Sequence, residues 1–361
     1  MVDGTPRRGS AQASRSGPRG IGRMMGGVRR IRHRCEYAAL VTAGEAIGLL
    51  PWRLTRWLGR SLGSAFYLVD GPHRRLTVAN LQAAFPARSP KECRALARAT
   101  FQHFGRLAVD LLKFRTLSPD AMLGMVEVDP AGAERVEQAQ AGGRGILFLT
   151  GHFGFWEIQA LAHGLRFGPM SVMARALDNP HVHELLERIR VSTGNSVIYR
   201  RGALRRVFRT LGGNGAVGML IDQHVQPRDA VYVDFFNRPA ATTAALAVLA
   251  ARTGAPVIPL FALPLDDGRY RLVYEPAVEP PENETPDALR AFTQRCTDVL
   301  EMYVRRYPDL WLWMHRRWRD RESELETTAG MFPAASPEPD AEPEAENVVG
   351  DARPSSVTDR D

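Results

Sequence analysis

Cysteine is scarce in this chain, and no apolar run is long enough to cross a bilayer. Three cysteines, Cys35, Cys93 and Cys296, are scattered over 361 residues. An odd number at wide spacing supplies neither a disulfide framework nor a metal cage, and it fits a reducing compartment. The best N-terminal apolar stretch, YAALVTAGEAIGLLPW (37–52), carries Glu45 and falls short of the roughly 20 residues a spanning helix needs. A second window, 145–165, is interrupted by Gly151–His152 and has the length of a strand, a turn and a helix. Residues 1–34 contain no continuous apolar stretch of the kind a secretory signal needs. There is no G-x-S-x-G, no Walker A and no dinucleotide fingerprint, which argues against a serine hydrolase, an NTPase and a dehydrogenase.

What is present is charge, unevenly placed. The chain carries a formal net charge of +7. Residues 1–34 hold nine arginines and one acid, whereas 322–361 hold eleven acids and two arginines. Both ends are too poor in apolar side chains to offset the entropy of ordering, so 1–34 is read as a disordered basic N-terminus and 322–361 as a disordered acidic tail. The part between them, 35–321, is itself basic. That favours an anionic partner: a membrane surface, a phosphorylated substrate, an acidic carrier protein or nucleic acid. No RNA or DNA module is recognisable and the aromatics are not spaced as a stacking platform, so no nucleic-acid partner is expected.

The order of hydrophobic periods gives the fold class. Helical patterns run over 36–50, 52–69 and 74–114, the last broken at FPARSPKE, where Ser89-Pro90 is a start signal. Apolar faces at 35–70 alternate with Arg and Trp, as in helices that lie in an interface; a helical hairpin in a soluble fold has the same pattern. From 145 on, strands and helices alternate: strands at 145–150, 170–175, 196–200, 216–222 and 231–236, with helices at 154–166, 180–193, 203–211 and 241–253. Strands 256–263 and 269–275 flank an Asp-Asp-Gly turn, and a last helix covers about 286–307. This is an α/β fold with a largely parallel sheet flanked by helices, preceded by a helical membrane-associating segment. Ligands in such sheets sit at the carboxyl ends of the strands, where His152 and Asp222 both fall.

Residues 150–157, TGHFGFWE, put a histidine and a glutamate five positions apart within very apolar sequence. On one continuous helix, positions five apart are separated by about 140° and do not share a face. His152 and Glu157 meet only if His152 lies on a turn, which Gly151 and Gly154 permit, and Glu157 lies in the first helical turn. Glu157 would then accept a hydrogen bond from one imidazole nitrogen and leave the other facing the cleft as a base. The nucleophile would be the substrate's own hydroxyl. A satisfied turn histidine followed by a carboxylate that complements a helix dipole has the same spacing.

GHFGFWE resembles the H-x4-D/E motif of the lysophospholipid acyltransferase superfamily, most closely its bacterial lipid A lauroyl/myristoyl acyltransferase branch. Further blocks are similar to that branch in the same order: MARALDNPHVHELLERIR (173–190), RVSTGNSVIYRRGALRRV, GMLIDQHV (218–225), the VDFFNRPAATTAALAVLAARTGAPVIP stretch with Asn237 where Gly is usual, and WLWMHRRW (311–318). The resemblance covers about 36–320 and neither tail. It implies a glycerolphosphate-acyltransferase-like fold in which 35–321 is the acyltransferase domain. It also implies acyl transfer from a thioester, usually an acyl carrier protein and otherwise coenzyme A, to a hydroxyl of a lipid A precursor. His152 would be the general base and Glu157 its orienting partner, while Arg175, Arg190 and Asp222 match substrate-site positions. A location at the inner (cytoplasmic) membrane, with the site facing the cytoplasm, follows from the same likeness. A phospholipid, glycolipid or aminolipid acceptor is the alternative within the class. A basic nucleic-acid-binding protein and a catalytically silent membrane scaffold are the alternatives outside it.

Arg316 and Arg317 interleave with Trp313 and Trp318, a pattern suited to clamping phosphate head groups at a membrane; a solvated arginine face over buried tryptophans has the same pattern. Arg200, Arg201, Arg205 and Arg206 form a second basic cluster, suited to an acidic carrier protein. His181 and His183 have the wrong spacing to share a helix face, so no metal and no cofactor are expected.

Overall fold

In a computed structural model of the chain, the described residues are 19–199, 202–226 and 230–318. Residues 1–18 and the acidic tail therefore lie outside them, as do Arg200 and Arg201 of the second basic cluster. Four helices come first: α1 (Arg19–Leu49), α2 (Trp52–Val69), α3 (Gly71–Ala84) and α4 (Pro90–Phe114). Next are α5 (Pro119–Gly124), β1 (Val126–Val128) and α6 (Pro130–Ala141). β2 (Ile146–Thr150), α7 (Trp156–Phe167), β3 (Met170–Ala174), α8 (Pro180–Val191), β4 (Ser196–Tyr199), α9 (Ala203–Gly212) and β5 (Ala216–Leu220) then alternate. The hairpin β6 (Ala230–Asp234) and β7 (Pro239–Thr243), α10 (Ala245–Thr253), β8 (Val257–Pro264), β9 (Tyr270–Tyr274) and α11 (Pro286–Arg306) complete the order.

The helix starts are written in the sequence. Ser89 and Glu92 form a capping box at α4, with Pro90 in the first turn. Asn179 caps α8 and Thr285 caps α11, each followed by a proline. These side chains satisfy backbone N–H groups that the first turn leaves without partners. Helix α1 begins at Arg19, well upstream of the boundary expected at residue 35.

Seven strands form one sheet in the order β1-β9-β8-β2-β5-β3-β4. All neighbouring pairs are parallel except β8 and β9, which pair antiparallel across the Asp266-Asp267-Gly268 turn. Every residue of β2 is buried, as a central strand covered on both faces requires. Its side chains alternate between two cores. Ile146 and Phe148 join Leu161, Tyr270 and Tyr274 on one face, while Leu147 and Leu149 join Leu246, Leu249 and Phe292 on the other. A third core gathers Phe153, Phe235, Phe236, Trp311 and Trp313 around the end of the described chain.

Two sequence expectations shift. The helix expected over 241–253 starts only at Ala245, because residues 239–243 pair with β6 as strand β7. Pairing satisfies the β6 backbone, a need that local propensity does not express. The helix expected over 154–166 starts at Trp156, since Gly154 has φ +59° and its neighbour Phe155 donates its N–H to Ala262 O at 3.1 Å.

Helices α2 and α4 cross at very short range. A Cβ added at Gly63 would stand 2.1 Å from Phe101 O, and one at Gly105 would stand 2.4 Å from Gly59 O. Thr55, Gly59 and Gly63 thus form the buried seam of α2, and Leu54, Trp57, Leu58, Leu62 and Phe66 are left exposed. No described helix is long and apolar enough to cross a membrane.

Candidate active site

The parallel register of β2 and β5 pairs Thr150 with Leu220. His152 and Asp222 each lie two residues beyond that pair, so the sheet delivers them side by side at its carboxyl edge. His152 Nδ1 is 2.8 Å from Asp222 Oδ1, and the His152 backbone N–H donates to Asp222 Oδ2 at 2.6 Å. A carboxylate only accepts, so Nδ1 carries the proton and Nε2 presents its lone pair. The amide of Gln223 donates to Nε2 from 3.3 Å. Close approach of the two elements depends on Gly151, where an added Cβ would meet Asp222 Oδ2 at 2.9 Å.

Electrostatics follow the geometry. Burial disfavours the charged imidazole, but the charge of Asp222 and its hydrogen bond outweigh that and hold the His152 pKa above the ordinary 6.5. Burial alone would raise the pKa of the Asp222 carboxyl. The facing imidazole and the donated hydrogen bonds instead hold it well below its ordinary 3.8.

Two further groups brace Asp222. Trp311 Nε1 donates to Oδ2 at 2.8 Å, and His315 Nε2 lies 3.1 Å from the Asp222 carbonyl oxygen. Backbone hydrogen bonds from Leu312 to His152 O at 3.1 Å, and from Gly154 to Leu310 O at 2.9 Å, tie the same distant segment to the turn that carries the histidine.

Glu157 occupies the first turn of α7, as expected, but does not touch the imidazole. It forms a two-pronged pair with Arg190 of α8, with Nε–Oε2 at 2.9 Å and Nη2–Oε1 at 2.5 Å. The expected His152–Glu157 contact is therefore corrected: Asp222 takes that place. The α7 helix turns Glu157 toward α8, while the strand register has already brought a carboxylate to Nδ1. The pair with Glu157 outweighs burial and raises the Arg190 pKa.

A cleft of about 640 Å³ opens over His152. Trp156, Glu157, Arg190, Arg175 and Gln223 line it together with the apolar Val172, Met173, Leu186, Ile198 and Leu220. Arg175 is exposed at its rim. Asp222 is 1% exposed, lies behind the imidazole and does not face the cleft, which corrects its expected place among substrate contacts. Arg316 and Arg317 do not act as a joint clamp either. Arg316 is exposed, but Arg317 is buried, donating to Ala241 O at 2.6 Å and to Thr242 Oγ1 at 2.5 Å. Burial lowers the Arg317 pKa to about 10, against the pull of Asp222.

The His152–Asp222 pairing and the brace from Trp311 are the contacts of the candidate site that sequence reasoning missed. Asp222 did carry a signal, an aspartate closing the apolar run GMLI in the strand that pairs with β2. Trp311 carried none beyond its place in WLWMHRRW. No three His, Cys, Asp or Glu side chains among the described residues converge as metal ligands. His181 packs at a tilt on Tyr37 and His183 packs edge-on to Tyr199.

Residues 24–320 match the family described as bacterial lipid A biosynthesis acyltransferase. The chain is 26% identical over 274 residues to the lipid A biosynthesis lauroyltransferase of Escherichia coli (strain K12), covering 75% of this chain and 87% of that one. It is 25% identical over 284 residues to the lipid A biosynthesis myristoyltransferase of the same strain, covering 78% and 86%. It is also similar to the phosphatidylinositol mannoside acyltransferase of Mycolicibacterium smegmatis (strain ATCC 700084 / mc(2)155), at 24% identity over 281 residues, covering 74% and 88%.

Proposed function

Because the chain belongs to the bacterial lipid A biosynthesis acyltransferase family, and is thus an acyltransferase acting on a lipid acceptor, we propose that His152 is the general base of the transfer and that Asp222 orients it. One observation carries this reading. The imidazole is held at Nδ1 by a buried carboxylate, while Nε2 opens on a cleft lined by both polar and apolar side chains. A base must lie within hydrogen-bond reach of the proton it removes and must hold the correct tautomer, and this arrangement supports both.

In the proposed reaction the donor is a fatty acyl thioester on an acyl carrier protein or on coenzyme A. The acceptor is a hydroxyl of a lipid A precursor. His152 Nε2 displaces the Gln223 amide contact and takes the hydroxyl proton as the oxygen attacks the thioester carbon. The tetrahedral oxyanion collapses, the carbon–sulfur bond breaks, and the departing thiolate takes the proton back from the imidazolium. General base catalysis supplies on the order of 10²–10⁴ in rate, with the rest coming from positioning and electrostatics. The Glu157–Arg190 pair shapes the polar wall beside the base and positions α7 against α8. Arg175 at the rim and the Gln223 amide are the donors suited to the anionic parts of the substrate or to the oxyanion. The apolar residues of the lining suit the acyl chain.

Membrane association belongs to the same proposal. The exposed Leu54, Trp57, Leu58, Leu62 and Phe66 recur at helical spacing on α2, beside the seam packed on α4. With Arg53 and Arg60 on the same helix, this face suits the headgroup level of an anionic leaflet, at the inner membrane with the cleft toward the cytoplasm. The region 35–321 is proposed to act as one acyltransferase domain.

A glycolipid acceptor other than a lipid A precursor is the second reading, favoured by the similarity to a phosphatidylinositol mannoside acyltransferase. Purified protein given a radiolabelled acyl-acyl carrier protein or acyl-coenzyme A, with each acceptor in turn, separates the two. Transfer to the lipid A precursor is expected, and transfer to neither acceptor would overturn the proposal. Mass spectrometry of membrane lipids from a deletion strain then identifies the acceptor and chain length together, through the acyl chain that goes missing.

A further inference from the structure

We infer that Trp311 is a positioning residue whose indole N–H fixes the Asp222 carboxylate and, through it, the base His152; this rests on the role proposed for His152 above. Asp222 is 1% exposed, and a carboxylate at that depth needs donors on both oxygens. Oδ1 accepts from His152 Nδ1. Oδ2 accepts from the His152 backbone at 2.6 Å and from Trp311 Nε1 at 2.8 Å. Trp311 is the one donor in this set that does not come from His152 itself. With the His152 backbone N–H, it holds the rotation of the carboxylate that presents Oδ1 to the imidazole.

The indole cannot swing away. Trp311 is 0% exposed, with Trp313 at 4.7 Å, His315 at 5.1 Å and Phe235 at 5.3 Å between ring centroids. Its main chain bridges Phe153, and its neighbours Leu310 and Leu312 make the backbone hydrogen bonds to Gly154 and His152. One segment thus grips the turn that carries the base by its main chain and the carboxylate by a side chain. The neighbouring tryptophans do something different: Trp313 Nε1 donates to Pro308 O and Trp318 Nε1 to Phe235 O, both uncharged carbonyls. Only Trp311 of the three spends its N–H on a charged group.

A consequence for proton affinity follows. A hydrogen bond donated to Oδ2 draws charge from the carboxylate and limits its pull on the Nδ1 proton. Removing it leaves Asp222 a stronger partner, which favours the imidazolium. The other charged or titratable groups facing the pair are Glu157 and Arg190 from the cleft side and His315 and Arg317 from beneath. Of these, His315 packs on the indole at 5.1 Å between ring centroids, so an exchange that keeps the ring shape keeps that contact.

The test uses the full-length protein with Trp311 replaced by β-(3-benzothienyl)alanine, an isostere that has sulfur in place of the N–H, and with Trp311→Phe in parallel. In the isostere, kcat is expected to fall about tenfold, the lower end of what a hydrogen bond to a charged group contributes. The acid limb of kcat/KM is expected to move to higher pH, with KM little changed. The same upward shift is expected for His152 in ¹⁵N-histidine NMR, a readout that needs no turnover. It therefore still reports on Trp311 if the role of His152 in transfer is itself disproved by an active His152→Ala variant. If the isostere keeps the normal pH profile and the normal His152 titration, the hydrogen bond does not position Asp222 and the inference is overturned, whatever Trp311→Phe does to folding.

Discussion

Asp222 Oδ1 stands 2.8 Å from His152 Nδ1, across two neighbouring parallel strands and seventy positions of sequence. The glutamate inside the histidine's own motif lies on the same cleft yet pairs with Arg190. Two carboxylates near one base therefore divide the work between holding the imidazole and holding a cleft wall, and they can be separated by mutation.

Replacing His152 with Ala should lower transfer by about 10²–10⁴ while leaving the fold intact, since the side chain lies at the cleft surface. Steady-state rates with an acyl thioester donor, read beside a thermal melt, check this. Near-normal turnover in a folded variant would sink the assignment of the base.

Asp222→Asn keeps the shape and removes the charge. The His152 pKa is raised in the native protein because Asp222 favours the imidazolium. The variant should therefore show an acid limb of kcat/KM displaced to lower pH, together with a lower plateau from loss of the tautomer-fixing acceptor. Stability gives a second check on sign. With its folded pKa raised above 6.5, His152 contributes stability below that value and loses it as pH rises through the folded pKa. Asp222, depressed from 3.8, contributes above that value and loses the contribution as the solution is acidified. Denaturant melts against pH should show both slopes in the native protein; in the variant the Asp222 slope should vanish and the His152 slope should weaken or reverse, because burial without the carboxylate disfavours the imidazolium.

The Glu157–Arg190 pair is only 12% and 16% exposed. Glu157→Gln should destabilise the protein by about 1–3 kcal/mol, since it leaves a largely buried guanidinium poorly paired. Activity should fall less than in Asp222→Asn, and the acid limb should move little. A pH profile displaced as far as that of Asp222→Asn would return Glu157 to the role of the histidine's partner.

Gly154 and Gly151 should respond differently to alanine. At Gly154 the backbone has φ +59° and an added Cβ would stand 2.0 Å from Ala262 O, so Gly154→Ala should cost on the order of 3 kcal/mol or more. At Gly151 the nearest atom is Asp222 Oδ2, so Gly151→Ala should cost activity well beyond its cost in stability. Denaturation midpoints and rates measured on the same preparations decide between the two patterns.

Exposed apolar positions on α2 test the membrane reading. Trp57→Glu with Leu62→Glu should leave stability within about 0.5 kcal/mol, as surface substitutions do. The pair should sharply reduce sedimentation with vesicles containing anionic lipid. Undiminished vesicle binding would remove α2 from the proposed membrane face.

Much of this protein was legible in one dimension. Alternating apolar strands and capped helices between 145 and 307 dictate an α/β layer fold, because period and capping chemistry are local properties. The same pattern puts His152 and Asp222 at strand ends, and the ordered motif blocks name the family. It could not say which carboxylate serves His152. Proximity in sequence favoured Glu157, but the register of β2 on β5 brings Asp222 to Nδ1, and α7 turns Glu157 toward Arg190. The same holds for Arg316 and Arg317, alike in sequence and opposite in burial, and for Trp311, whose N–H has a charged partner only once the chain has folded back on the His152 turn. Partner choice among polar groups distant in sequence is set by strand register and chain crossing, and those exist only in the tertiary structure.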